Sequence, residues 1–428
     1  MRQPKCVFLL ICFVITGSIS LPLYAQWQQD KGLQFHGYYK SFLVNIDPAK
    51  VRDMPDQRSA GAWTNRWRLN AEYQLNQVIS LDAAYNLTPK VIARSFGSFA
   101  PTPGTNPSHY RVADLKNTVY SRDLPYKNHF QIAQNLDRLY LSIALDNADI
   151  YLGRQAISWG SARVINPTDI IAPYTFQELD TEERVGVDAL RIRIPTGFMG
   201  EIDAGYVAGR HFQFDKSALF LRGKTYLAET DVSLMLVEFQ KNLMAGADFA
   251  RSIGDAGSWL EAAYVWNNPF SAAYNSYKNY FRASAGMDYN FTGGLYGFVE
   301  VHYNEAGVTN PRDYLFNYQQ NSAYSRGAVY LLAKKYFMPG FSYQLTPLLT
   351  LNGQVIYNVD DRSAFLAPVL EYNMTQNMYL NAGIYFSTGQ SIDTIIAPSP
   401  TQSQPIPIPR SEFGTYPDIY YASFRWYF

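Results

Sequence analysis

The sequence reads as an all-β chain: a closed antiparallel transmembrane β-barrel of about 18 strands (roughly 16–18), with short turns at one rim and long loops at the other. Three features carry this reading. Apolar and polar residues alternate with period two in segment after segment. No apolar run after residue 25 approaches the ~18 residues that a spanning helix needs. The connections between segments alternate between short and long.

Period two puts successive side chains on opposite faces of a strand. In "RWRLNAEYQL", Trp67, Leu69, Ala71, Tyr73 and Leu75 share one face, and Arg66, Arg68, Asn70, Glu72 and Gln74 the other. In "FRASAGMDYN", Phe281, Ala283, Ala285, Met287 and Tyr289 stand opposite Arg282, Ser284, Gly286 and Asp288. "LYGFVEVHY" and "MYLNAGIYF" behave alike. A lipid-facing Arg costs about 2–4 kcal/mol at the bilayer midplane, so a wall in lipid must turn its charges inward. Such segments begin near residues 33, 64, 79, 136, 148, 187, 199, 217, 231, 243, 258, 280, 294, 334, 348, 364, 377 and 418. The one at 334 contains Pro339 and Gly340, and proline is awkward inside a ladder.

Numbered from the first strand, the even connections are all short: "NQV", "DNA", "TGF", "ETD", "GDAG", "TGG", "TP" and "TQN". Every long one is odd: 46–63, 91–135, 160–186, 268–279, 305–333 and 389–417. The odd set also holds short ones near 210–216, 240–242 and 359–363. Bacterial barrels have short periplasmic turns and longer outside loops, so this parity fits an even strand count with both ends in the periplasm. The loop at 389–417 is rich in Pro and Ser and reads as a mobile outside loop.

The N-terminus carries Arg2 and Lys5, an apolar run from Cys6 to Ile15 and small residues near Ala25. This is the layout of a secretory signal peptide, residues 1–25, ahead of one barrel domain, residues 26–428. Both cysteines, Cys6 and Cys12, fall in the leader, which excludes disulfides and Cys-ligated metals from the mature chain. The full chain balances 36 basic against 36 acidic residues. Removing Arg2 and Lys5 leaves 34 against 36, a net charge of −2. Nothing there points to nucleic acid. Aromatic residues make up 16% of the chain, and rings with one wet end suit the membrane–water interface.

A barrel of this size encloses water, so inward residues meet the solute. By parity the inward basic set contains Lys40, Arg66, Arg68, Arg138, Arg191, Arg193, Arg222, Lys224 and Arg425. The inward acidic set contains Asp82, Glu201, Asp203, Asp248, Glu261, Asp288, Glu300 and Glu371. Basic residues lean to the first eight strands and the last, acidic ones to strands ten to sixteen. Opposed sectors would set a transverse field that enriches one sign of solute. Alternatively, these charges pair with neighbours and merely solvate the lumen.

The stretch "YLGRQAISWGSARVINPTDIIAPYTFQELDTEERVGVD" runs off a strand end into a long loop. Asn166 to Asp169, "NPTD", is a turn or helix-start signal. The loop is expected to fold inward and narrow the pore, with Arg154, Trp159, Arg163 and Asp169 at the constriction. The alternative is a loop packed on the rim.

The leader, the alternating strands and the terminal "YYASFRWYF" together resemble Gram-negative outer-membrane porins. The last strand, ending on Phe428, resembles the signature that barrel-assembly machinery reads in that group. "LGRQAISWGSARVINPTD" is similar to a segment of poorly characterised porin-like proteins, distantly akin to alginate-export barrels. The resemblance implies a β-barrel channel in the cell outer membrane. Its partners would be outer-membrane lipid, the assembly machinery and a small solute, with a homo-oligomer allowed. No cofactor is implied.

Enzyme readings find little support. The five histidines are His36, His109, His129, His211 and His302, of which parity turns only His36 and His302 inward, with no obvious nucleophile beside them. No H-E-x-x-H or G-x-S-x-G pattern occurs, and metal-ligand spacings are absent. The expected function is passive diffusion of small polar or charged solutes. The alternatives are a gated transporter of hydrophobic or aromatic solutes, which inward Tyr38, Tyr296 and Phe298 allow, a polymer-export barrel, or a structural barrel.

Overall fold

The computed structural model describes residues 32–52, 58–93, 110–125, 128–197, 199–270, 278–326, 329–396 and 405–428. The leader and its cut after Ala25 lie outside the described residues. The strands in chain order are β1 (Leu33–Asp47), β2 (Ala60–Gln74), β3 (Ile79–Ala93), β4 (Thr118–Leu124), β5 (Asn128–Leu145), β6 (Ala148–Gln155), β7 (Val187–Thr196), β8 (Gly200–Val207), β9 (Ala218–Leu227), β10 (Thr230–Phe239) and β11 (Asn242–Ile253). They continue as β12 (Ala256–Trp266), β13 (Tyr280–Phe291), β14 (Leu295–Asn304), β15 (Lys335–Thr346), β16 (Leu349–Asn358), β17 (Ala364–Leu366), β18 (Val369–Thr375), β19 (Met378–Thr388), β20 (Asp393–Ile396), β21 (Pro405–Ile408) and β22 (Asp418–Tyr427).

Neighbours in sequence pair as antiparallel hairpins, and β22 returns to β1 with Lys40 opposite Arg425. The result is a closed barrel of 18 staves. The last residue fastens the seam. Gly37 N–H donates to the Phe428 carbonyl at 2.8 Å, and Phe428 N–H donates back to Gly37 at 3.0 Å. β17 and β18 are one stave interrupted at Ala367–Pro368, where proline removes a ladder donor. β4 lies beside β5 in an outside loop, and β20 and β21 form a separate two-stranded ribbon.

Two strands start earlier than the alternation suggests, β2 at Ala60 instead of 64 and β5 at Asn128 instead of 136. Apolar alternation stops where lipid stops, but backbone pairing continues into the loops, as Ala93 opposite Asn128 shows. Pro339 stays within β15, opposite Val299 of β14, and its pairing with β16 is interrupted between Phe337 and Gly340.

Burial is inverted relative to a water-soluble fold. Leu69, Leu152, Leu221, Leu234, Leu260 and Val301 are exposed on the outer face, while Lys40, Asp203, Glu261, Arg282 and Glu300 are buried within. Exposed apolar surface with buried charge is the informative combination, and here lipid is the solvent that reconciles it. The two ends of the lumen also differ. At the loop end, buried side chains such as Ile157, Ile170, Tyr280, Met338 and Phe413 form packed clusters inside the wall. At the turn end, inward residues are open, and the His36 and Glu72 side chains are about half exposed (52% and 53%).

Candidate functional site

The connection from Gln155 to Val187 is a strap laid across the lumen. It leaves β6 and packs Trp159 against Phe220, with ring centroids 4.9 Å apart. Trp159 Nε1 donates to Asp203 at 3.4 Å. Gly160 follows with φ +106, a conformation that side chains rarely adopt. A Cβ there would lie 2.5 Å from Asn166 Oδ1 and 2.7 Å from the Glu261 carboxylate, so only glycine fits.

The first half of the strap docks on β11–β14. The carboxylate of Glu261 accepts backbone N–H groups from Ala162 (3.1 Å) and Thr168 (2.8 Å) and the Thr168 hydroxyl (2.6 Å). Glu300 accepts from the backbone of Arg163 (2.7 Å) and Ile165 (3.0 Å), and from Trp259 Nε1 at 3.0 Å. Ser161 donates to Asp248. Arg163 reaches Asp288 at 2.7 Å with its guanidinium over the Trp259 ring. Arg282 donates to the Pro167 carbonyl at 2.7 Å.

The second half docks on the far wall. Asp180 takes Lys40 Nζ at 2.8 Å and Arg66 at 2.7 Å. Glu182 takes Lys40 at 2.5 Å, and Glu183 lies 3.5 Å from both Arg68 and Arg138. β1 and β2 stand far around the closed barrel from β12–β14, so a strap gripping both must cross the interior. The surrounding arginine and lysine hold Asp180 below the ordinary carboxylate range, against the upward push of its burial.

The remaining residues singled out in the sequence fall into place around the strap. Arg191 pairs with Asp203 at 2.7 Å, Arg193 with Glu201, and Arg222 with Ser233 at 2.7 Å and Glu201 at 3.8 Å. Arg425 pairs with Glu371 and with Asn381 at 3.0 Å. Arg154 is not on the strap. It sits in the β6 wall, joined to Asp188 and Asp114 at 2.7 Å each. Asp169 is buried and paired with Arg184 at 2.9 Å, and burial pushes its carboxyl up to about 7. Tyr38 is buried under Lys40, 4.2 Å from the ammonium. His36 is exposed at the turn end.

Two features escaped the sequence. Strict alternation sends Asp137 outward, but a bulge opposite Ala84 and Tyr85 breaks the register. Asp137 therefore turns inward beside Arg138, bonding Arg68 at 2.8 Å and Arg138 at 2.6 Å. His302 does have a hydroxyl beside it, Ser284 Oγ at 2.8 Å from Nδ1. Both are buried, and Ser284 donates to the Ile165 carbonyl at 2.6 Å, so the pair anchors the strap and leaves no room for a substrate. The signal for the carboxylate clasp was present in "ELDTEER" (178–184), whose acids lie in a loop facing a basic wall.

Between the strap and the inner wall of β14–β16 lies a cavity of about 510 Å³. Tyr174 and Arg184 of the strap and Tyr296 and Phe298 of β14 line it. Among the described residues, no group of three or more His, Cys, Asp or Glu is placed to hold a metal ion.

No family model matches the chain, and no curated protein matches it in sequence. Its structure, however, is similar to solved porins. A BenF-like porin from Pseudomonas fluorescens Pf-5 is 12% identical with a TM-score of 0.51, over 92% of this chain and 98% of that one. OccK5 (OpdH) of Pseudomonas aeruginosa is 10% identical with a TM-score of 0.54, over 93% and 98%. OccAB2 of Acinetobacter baumannii is 10% identical with a TM-score of 0.53, over 92% and 98%. At this identity the likeness carries the fold: the chain is a porin-like, closed 18-stranded β-barrel.

Proposed function

We propose that the protein is an outer-membrane channel through which small polar or charged solutes diffuse passively, with the strap as its constriction. The outer face is apolar, the inner face is charged, and the fold is that of porins. The single observation that carries the reading is the strap itself. It grips Lys40 and Arg66 on one wall and Glu261 and Glu300 on the other, so solute crossing the lumen must pass beside it. Its ion pairs hold the constriction shut to one geometry, which filters by size and by chemistry of the lining.

In this reading residues 1–25 are the secretory leader, and the strand ending on Phe428 is what the assembly machinery engages. The inward charges act through the strap more than as a bare field. The chain performs no chemistry on the solute.

Reconstitution in planar bilayers tests this. Ohmic single-channel current, with liposome swelling in small neutral sugars and organic acids, is the expected result. A barrel that inserts fully yet passes no ion and no solute contradicts it.

A further inference from the structure

The cations around the cavity are already spent, and the Glu178 carboxylate, which also lines it, accepts from Thr175 at 3.4 Å. Arg163 is held by Asp288, and Tyr296 donates its hydroxyl to that same carboxylate at 2.9 Å. Arg184 is held by Asp169, donates to the Ala172 carbonyl at 2.9 Å, and lies over Tyr174 with its guanidinium 3.7 Å from the ring centroid. Farther off, Lys40, Arg66, Arg68 and Arg138 face Asp180, Glu182, Glu183 and Asp137. A solute anion would have to displace a carboxylate already in contact, and the buried partner left behind would cost more than a surface pair returns.

What the cavity does offer is ring surface and neutral polar groups. Tyr296 and Phe298 alternate down β14 on its inner face, with centroids 6.3 Å apart. Tyr174 and Phe176 face the cavity from the strap. Ser342, Asn352 and Gln354 line the same wall beside the two rings, on β15 and β16, with Ser342 directly across from Tyr296 and Asn352 across from Ser342. Hydroxyls and carboxamides both donate and accept, so they pair with a solute hydroxyl in either sense. Aromatic faces take the C–H face of a ring by dispersion and apolar contact without asking for charge.

We infer that this cavity is a binding subsite for uncharged, hydroxyl-bearing ring solutes of the sugar class, stacked on Tyr296 and Phe298 and hydrogen-bonded by Ser342, Asn352 and Gln354. It rests on the channel reading above and goes beyond it, because it makes the constriction select for ring shape and hydroxyls instead of for charge sign. Ion preference is then weak, and a sugar slows the current that it traverses.

The test uses the mature full-length protein in a planar bilayer, with maltose as the probe and benzoate and arginine as charged comparisons. Maltose added at the chamber side is expected to interrupt the current in discrete, concentration-dependent events, while the reversal potential in a salt gradient stays near zero. Replacing both rings, Tyr296→Ala with Phe298→Ala, is expected to weaken that blockade about tenfold, the scale of two lost ring contacts, while the open channel still conducts. Ser342→Ala with Asn352→Ala offers a second, smaller loss in a variant that leaves the aromatic wall intact. Current with strong anion selectivity, blockade by benzoate but not by maltose, or unaltered maltose blockade in both double variants overturns the subsite and leaves the channel standing. Absence of current in a fully inserted barrel overturns both.

Discussion

The two walls of the lumen hold the same strap by different chemistry. On β1, β2 and β5 the grip is side chain to side chain, with Asp180, Glu182 and Glu183 on Lys40, Arg66, Arg68 and Arg138. On β12 and β14 the wall supplies carboxylates, and the strap answers mainly with backbone N–H groups of Ala162, Arg163, Ile165 and Thr168. The first wall therefore reads the sequence of the strap, and the second reads its backbone shape. Substitutions in residues 178–183 should act through charge, whereas those in residues 160–168 should act through conformation.

The largest effect is expected from Asp180→Lys. It removes the shared acceptor of Lys40 and Arg66 and adds a third cation to a buried site, a loss on the scale of about 3–5 kcal/mol for breaking a buried pair. The strap should leave the basic wall, and single-channel conductance should rise clearly above wild type.

Next comes Gly160→Ala. Its Cβ would press on Asn166 and Glu261 in a left-handed backbone, at a cost of about 1–3 kcal/mol. The gel shift between folded and heat-unfolded barrel should then occur at lower temperature. If Gly160→Ala matches wild type, the second wall does not read backbone shape.

Glu261→Gln should do less. Its amide oxygen can still accept from Thr168, so about 0.5–1.5 kcal/mol is at stake, and conductance should change little. Equal effects of Asp180→Lys and Glu261→Gln would erase the contrast between the walls.

The smallest effect is that of pH, and the two strap carboxylates move in opposite senses. Asp180 is held low, so its grip is present above the ordinary carboxylate value of about 4 and is lost only as pH falls through its depressed value. Asp169 is raised to about 7, so its share is full at low pH and is lost as pH rises through about 7. Current noise from strap motion should therefore increase from pH 5 to pH 8, with mean conductance nearly steady. Noise that falls over that range would contradict the assignment to Asp169.

Much of the barrel was legible because lipid enforces period two. Trp67, Leu69 and Leu260 cannot trade faces with Arg66, Arg68 and Glu261 without placing charge in hydrocarbon. The inward charged set was legible for the same reason. Their partners were not. Asp137 turns inward only because a bulge shifts β5 by one residue against β3, and a bulge leaves no mark in an alternation pattern. Asp180 meets Lys40 across 140 residues of chain, a pairing set by the path of the strap through space. Arg154 and Asp169 lie in a charged, aromatic stretch, which makes them constriction candidates in the sequence. The structure places the first in the wall and buries the second against Arg184, since a charge beside a pore is as readily neutralised as presented.

The position of the strap in the membrane-embedded protein can be read directly. The only cysteines are Cys6 and Cys12, so with the proposed leader removed Tyr427→Cys with Glu182→Cys gives a chain with two thiols, at a strap–wall contact of 2.6 Å that leaves the Asp180 pairs with Lys40 and Arg66 in place. A short bifunctional thiol reagent applied to intact outer membranes should bridge them and alter the migration of the heat-unfolded chain. Two thiols that instead each take a bulky maleimide, with no bridged species, would show that the strap does not cross the lumen.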